Sequence, residues 1–152
     1  MHQSRHATRL VPLLVLFVGL ASAHSHHYLN GSWVLVPARS DFGGEATIGS
    51  GTVTIYDREH NIYVSCTFDF DSPAGTTSYT FRADGGENSS IKDGKTFKTK
   101  ARWEGDVLKV TITNDNIQTV EHYSLQPDGS MLLTIERPGH STMNLTFVRQ
   151  MP

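Results

Sequence analysis

Apolar and polar positions alternate in short runs from residue 31 to the end of the chain. Val53 and Ile55 oppose Thr52 and Thr54, and Tyr79 and Phe81 oppose Thr80 and Arg82. Leu108, Val110 and Ile112 oppose Lys109, Thr111 and Thr113. Side chains alternate faces along a β-strand, so each run predicts a strand with one buried and one solvated face. Such runs, rich in Val, Ile, Thr, Tyr, Phe and Trp, cover 31–37, 51–57, 61–70, 76–83, 96–104, 106–113, 118–126, 130–137 and 141–149. Turn-forming clusters separate them, among them Ser72-Pro73-Ala74-Gly75, Pro127-Asp128-Gly129 and Pro138-Gly139. No window sustains a helical period. Pro37 to Gly44 reads as a turn or short helix, and Asp84 to Gly94, with two Asp-Gly pairs, as an open loop.

Short connections favour antiparallel neighbours, so the expected fold is all-β: an up-and-down meander of 8–9 strands. An open sheet of that size would leave two long unpaired edges, and closure into a barrel removes them. A polar outer face fits a barrel in water and not an outer-membrane barrel, which is apolar outside. The inward parity carries Trp33, Phe68, Phe70, Tyr79, Phe81, Phe97, Trp103 and Phe147. Thr99 and Ala101 are small and lie between Phe97 and Trp103 on one face, which predicts a gap unless opposing rings fill it. The candidate ligand-lining residues are therefore Phe68, Tyr79, Phe81, Phe97, Thr99, Ala101 and Trp103.

Residues 1–23 read as an export leader. Arg5 and Arg9 precede the apolar run Leu10 to Leu20, and Ala21-Ser22-Ala23 fits a cleavage site before His24. The run is too short to span a bilayer, which takes about 20 residues. What remains, 24–152, is enough for one domain, expected to be secreted or periplasmic, soluble and monomeric. The formal charge of −2 becomes −4 when Arg5 and Arg9 leave with the leader, which argues against a nucleic-acid partner. Cys66, the only cysteine, shares parity with Ile62, Val64 and Phe68 and reads as a small buried hydrophobe. The fold must then be held by its core or by closure, since no intrachain disulfide is possible.

The two ends carry a sharper signal. The last run puts Arg149 on the face of Met143, Leu145 and Phe147, where a cation needs a partner. The ring face of Trp33, in Gly31-Ser32-Trp33 at the head of the first strand, is a suitable one. This pairing resembles the closure of lipocalin-like (calycin-type) β-barrels, in which such an Arg stacks on such a Trp at the closed end. The stretch from Gly31 to Phe42, GSWVLVPARSDF, and the end Leu145-Thr146-Phe147-Val148-Arg149 are similar to those of small exported bacterial proteins of that kind. The resemblance implies a barrel that carries a small apolar molecule.

Candidate chemistry is sparse. Cleavage before His24 would expose His24-Ser25-His26-His27, where the α-amine, two backbone amides and the His26 imidazole form a square of nitrogens suited to Cu²⁺ or Ni²⁺. The alternative is a polar tail. His60, His122 and His140 lack ligand spacing. Asp69 and Asp71 read as a solvated turn, and Lys98, Lys100 and Arg102 as a solvated outer stripe. No nucleophile elbow or phosphate loop occurs, so no catalytic residue is assigned and no cofactor is expected. The leading expectation is a binding protein holding a small, mostly apolar ligand; the alternative is a filled barrel acting through its loops or outer face. A polar group with a shifted pKa inside a cavity would instead point to an enzyme.

Overall fold

A computed structural model describes residues 26–152, apart from 59, 60, 72, 74, 84, 85 and 93. Residues 1–23, read above as a leader, and His24 and His60 lie outside the described residues. Ten strands run in chain order: β1 Gly31–Leu35, β2 Ile48–Arg58, β3 Asn61–Phe70, β4 Thr76–Ala83, β5 Glu87–Lys92, β6 Lys95–Glu104, β7 Val107–Asn114, β8 Ile117–Leu125, β9 Met131–Glu136 and β10 Met143–Arg149. All pair antiparallel in one sheet of order β4-β3-β2-β1-β10-β9-β8-β7-β6-β5. The β1–β10 pairing joins the two ends of the chain and wraps the meander into a nearly closed barrel whose seam lies between β4 and β5.

The expectation of 8–9 strands is corrected to ten by β5, which falls within the stretch read as an open loop. Its sequence, Glu-Asn-Ser-Ser-Ile-Lys, has little β-propensity and no apolar face. It forms because β6 supplies a complete ladder, Glu87 opposite Lys100 through Lys92 opposite Lys95. Asp-Gly pairs on both flanks are hairpin signals, and two of them bracketing seven residues, 86–92, were the mark of a strand.

The inward parity forms the core. Trp33, Val53, Ile55, Val64, Leu108 and Leu133 are wholly buried. One end is closed by the turn His27–Leu29, which drops Leu29 into the core and receives a hydrogen bond from Trp33 Nε1 to the Leu29 carbonyl (2.9 Å). The Arg149 guanidinium lies 4.2 Å from the centre of the Trp33 ring and donates to the carbonyls of Asn30 and of Tyr28. Gly31 has φ +122°, and a Cβ there would lie 2.9 Å from Arg149 Nη1. Glycine is thus required both by the backbone angle and by the close approach of the guanidinium.

At the other end, the turn Pro37–Arg39 leads the chain back along β10, bridging Asp41 to Asn144. Glu45 then meets His140 Nδ1 at 2.6 Å and Arg137 at 3.6 Å.

Candidate functional site

Register fixes which side chains meet inside. Trp103, Leu108, Tyr123, Leu133 and Leu145 form one cross-strand row. Ala101, Val110, Glu121, Ile135 and Met143 form the next, then Thr99, Ile112 and Thr119, then Phe97, Asn114 and Ile117. The first two rows are largely packed. The last two face Tyr79 and Phe81 of β4 across the seam, and there the rings do not fill the interior.

A cavity of about 390 Å³ results, lined by Tyr79, Phe81, Phe97, Thr99, Ile112, Ile117 and Glu121, with Lys95 and Asp115 also in its lining. A second cavity of about 250 Å³ lies toward the Glu45 end and is lined by Ile48, Phe68, Phe70, Arg137 and Met143 among others. Tyr79, Thr119 and Glu121 belong to both walls.

Glu121 is the feature the sequence did not disclose. It is buried at 3% exposure. Its Oε1 accepts from the Tyr79 hydroxyl at 2.7 Å and its Oε2 from the Tyr123 hydroxyl at 2.5 Å. The Tyr123 oxygen is in turn 3.6 Å from Cys66 Sγ. Tyr79 reaches from β4 and Tyr123 shares β8 with Glu121, so the carboxyl is held from two sides of the barrel. Burial pushes the Glu121 pKa above the ordinary carboxyl value, partly offset by the two tyrosine hydrogen bonds. Burial, then the Glu121 charge, pushes the Cys66 thiol up to about 12, so it is inert at neutral pH. Both tyrosines are raised well above their usual value, first by burial.

The signal that could have found Glu121 was parity with Tyr123. It was hidden because β8 reads Val120-Glu121-His122-Tyr123, with an apolar residue on each face. Tyr123 decides the matter by being wholly buried.

Phe68, Tyr79, Phe81, Phe97 and Thr99 line one or other cavity. Ala101 and Trp103 line neither, so the expected gap is displaced toward the Phe97 end. Ala101 is 1% exposed in the packed Glu121 row. Trp103 is covered by the chain's own N-terminal segment, with His26 stacked on it at 4.1 Å between ring centres and Tyr28 edge-on at 5.8 Å. His26, expected at a Cu²⁺ or Ni²⁺ site with His24, thus makes an aromatic packing contact. Among the described residues no three His, Cys, Asp or Glu side chains group closely enough to hold a metal ion; the chelate of the α-amine, backbone amides and His26 falls partly on residues 24 and 25, outside the described ones. Asp69 accepts from Ser50 and Thr76 at the strand ends. Lys98 and Arg102 pair with Glu87 and Glu104 on the outer face.

No family model and no curated protein matches the chain. Solved structures do. The REP1-NXSQ fatty acid transporter superposes with a TM-score of 0.60 at 17% identity, covering 82% of this chain and 97% of its own. A Schistosoma mansoni fatty acid binding protein in complex with arachidonic acid gives 0.60 at 18%, covering 84% and 99%. Secretory abundant heat soluble protein 4 from Ramazzottius varieornatus gives 0.61 at 16%, covering 84% and 97%. The fold is that of these antiparallel β-barrels. At such identities the likeness is one of fold, and it extends over nearly the whole of each similar chain. No helix among the described residues is long and apolar enough to cross a membrane.

Proposed function

We propose that this protein is an exported, monomeric binding protein that holds a small, mostly apolar ligand in the barrel interior, without nucleic-acid partners and without catalysis. The observation that carries the reading is the cavity of about 390 Å³ behind the β4–β5 seam, walled by Phe81, Phe97, Ile112 and Ile117. Its size lies within the roughly 300–1,000 Å³ usual for small-molecule pockets, and such pockets are mainly apolar with a few placed polar groups. Two of the similar barrels are a fatty acid transporter and a fatty acid binding protein, which supports an apolar cargo.

Uptake of an uncharged solvatochromic dye tests this. The folded wild type should bind the dye with a blue-shifted emission. Thr99→Leu, which extends a branched side chain into the cavity, should block uptake with the fold intact by circular dichroism. Lys100→Ala, on the outer face, should change nothing. Absence of uptake by the wild type would move the function to the loops or outer face.

Glu121 favours a second reading. A carboxyl with a raised pKa in a cavity wall is suited to proton transfer. Burial raises the neighbouring thiol and tyrosines as well, so within that cluster the carboxyl remains the most acidic group. A carrier returns its ligand chemically unchanged, so mass spectrometry of ligand recovered after prolonged incubation separates the two readings.

A further inference from the structure

An amphiphile placed in this interior must seat its polar end, and the deepest polar group there is an acid. Glu121 lies in the walls of both cavities, with one tyrosine hydroxyl on each oxygen. An ionised carboxylate offers about four acceptor positions, so each oxygen keeps capacity for another donor. No ion pair reaches it among the described residues. The basic side chains in the cavity walls stand at the rims: Lys95 is exposed, and Arg137 lies 3.6 Å from Glu45. Asn114 Oδ1, from the wall of the larger cavity, is a buried acceptor without a hydrogen-bond partner. The Asn88 amide, a buried donor without a partner, is on β5 and outside both linings. The Trp103 indole N–H, the other buried donor without a partner among the described residues, lies outside both linings as well, so in the cavity walls the unpartnered buried atom is an acceptor.

Resting on the interior-ligand reading above, we propose that the barrel selects an amphiphile whose polar end is a protonated amine, donated to Glu121, with its chain laid along Phe97, Ile112 and Ile117. A buried charge persists when it is paired and hydrogen-bonded, and an ammonium supplies both the opposite charge and three donors. An alkanoate of the same length would set a second negative charge beside Glu121 and would find both tyrosine hydroxyls already committed. An alcohol donates one hydrogen bond and brings no charge. The apolar walls treat all three chains alike, so discrimination falls to the one buried acid.

Displacement of the uncharged dye from the mature protein at pH 7 by decylamine, decanol and decanoate, each below its micelle concentration, tests the selection. Decylamine should displace the dye at a concentration at least about tenfold lower than decanoate, with decanol between them. Glu121→Gln should bring amine and acid to within about twofold of each other, read as the ratio of their displacing concentrations so that any change in dye affinity cancels; Lys100→Ala, on the outer face, should keep the wild-type dye uptake and ranking. Decanoate equal to or better than decylamine on the wild type would overturn the proposal, and that comparison stands even if the variant does not fold. An amine preference that survives in Glu121→Gln would overturn it as well. Dye uptake with displacement by decanol but no amine preference defeats the amine alone; a wild type that takes up no dye defeats the interior-ligand reading itself.

Discussion

Single side chains set the terms at the closed end of the barrel and in its interior. Trp33 is wholly buried, hydrogen-bonded through its indole to Leu29 and covered by the Arg149 guanidinium. Trp33→Ala should destabilise the fold by about 3–5 kcal/mol, measured by urea denaturation, since it removes a large buried ring and leaves a cavity. Glu121 acts in the opposite sense. Its pKa is raised on folding, so at pH values between its ordinary value of 4.5 and the folded value the native state holds the proton more tightly than the unfolded chain. Its contribution to stability is therefore fully present below pH 4.5 and is lost as pH rises through the folded pKa. Relative to Glu121→Gln, the wild type should lose stability as pH is raised from the ordinary carboxyl range toward neutrality. Melting temperatures of both proteins across that range check it, and parallel profiles would show that Glu121 is not held as described. Trp33 and Arg149 were legible from the sequence because a cation on an apolar face demands a ring. Glu121 was not, because its neighbours along β8 leave the parity open.

At the level of elements, the decisive one is β5. Turn chemistry and alternation placed the other nine strands, with ends shifted by a few residues. An edge strand has a single neighbour and no need for an apolar face, so its composition looks like that of a loop. Because β5 pairs with β6 and β4 with β3, each keeps one unpaired backbone edge at the seam. Their seam-facing amides should exchange with deuterium well before those of β1 and β10, which are paired on both sides. Hydrogen-exchange mass spectrometry resolves these segments. Protection of β5 equal to that of β1 would mean that the seam is closed by further pairing. The same seam is where Tyr79 and Phe81 face the rows that leave the larger cavity, so the lowest-stability part of the sheet borders the proposed binding site.

For the molecule as a whole, the N-terminal segment bears on both the export reading and the binding reading. The first described residues do not trail away: His26 stacks on Trp103, and the Tyr28 hydroxyl donates to the Asp106 carbonyl at 2.9 Å, covering the end of the barrel. Expressed with its leader in a secreting host, the protein should be recovered with a mass corresponding to a chain beginning at His24, which intact mass spectrometry reads directly. Retention of residues 1–23 would remove the export reading and leave the cavity untouched, because the described barrel begins after them.

Alternation, turn residues and the Trp33–Arg149 pairing determined an all-β meander with one apolar face and a matched pair of ends. These are local properties, or pairings forced by a single costly charge, and a sequence states them directly. Whether the interior is full depends instead on the stagger of ten strands around a barrel, which sets the rings opposite any gap. Of the gap expected at Thr99 and Ala101, that stagger leaves Thr99 at the cavity, beside Phe97 at the seam, and takes Ala101 out of it. It also brought a carboxyl from β8 against a hydroxyl from β4, two residues 42 positions apart that carry no mutual signal along the chain. The architecture follows from period and punctuation. The chemistry of the interior exists only once closure has decided which side chains share it.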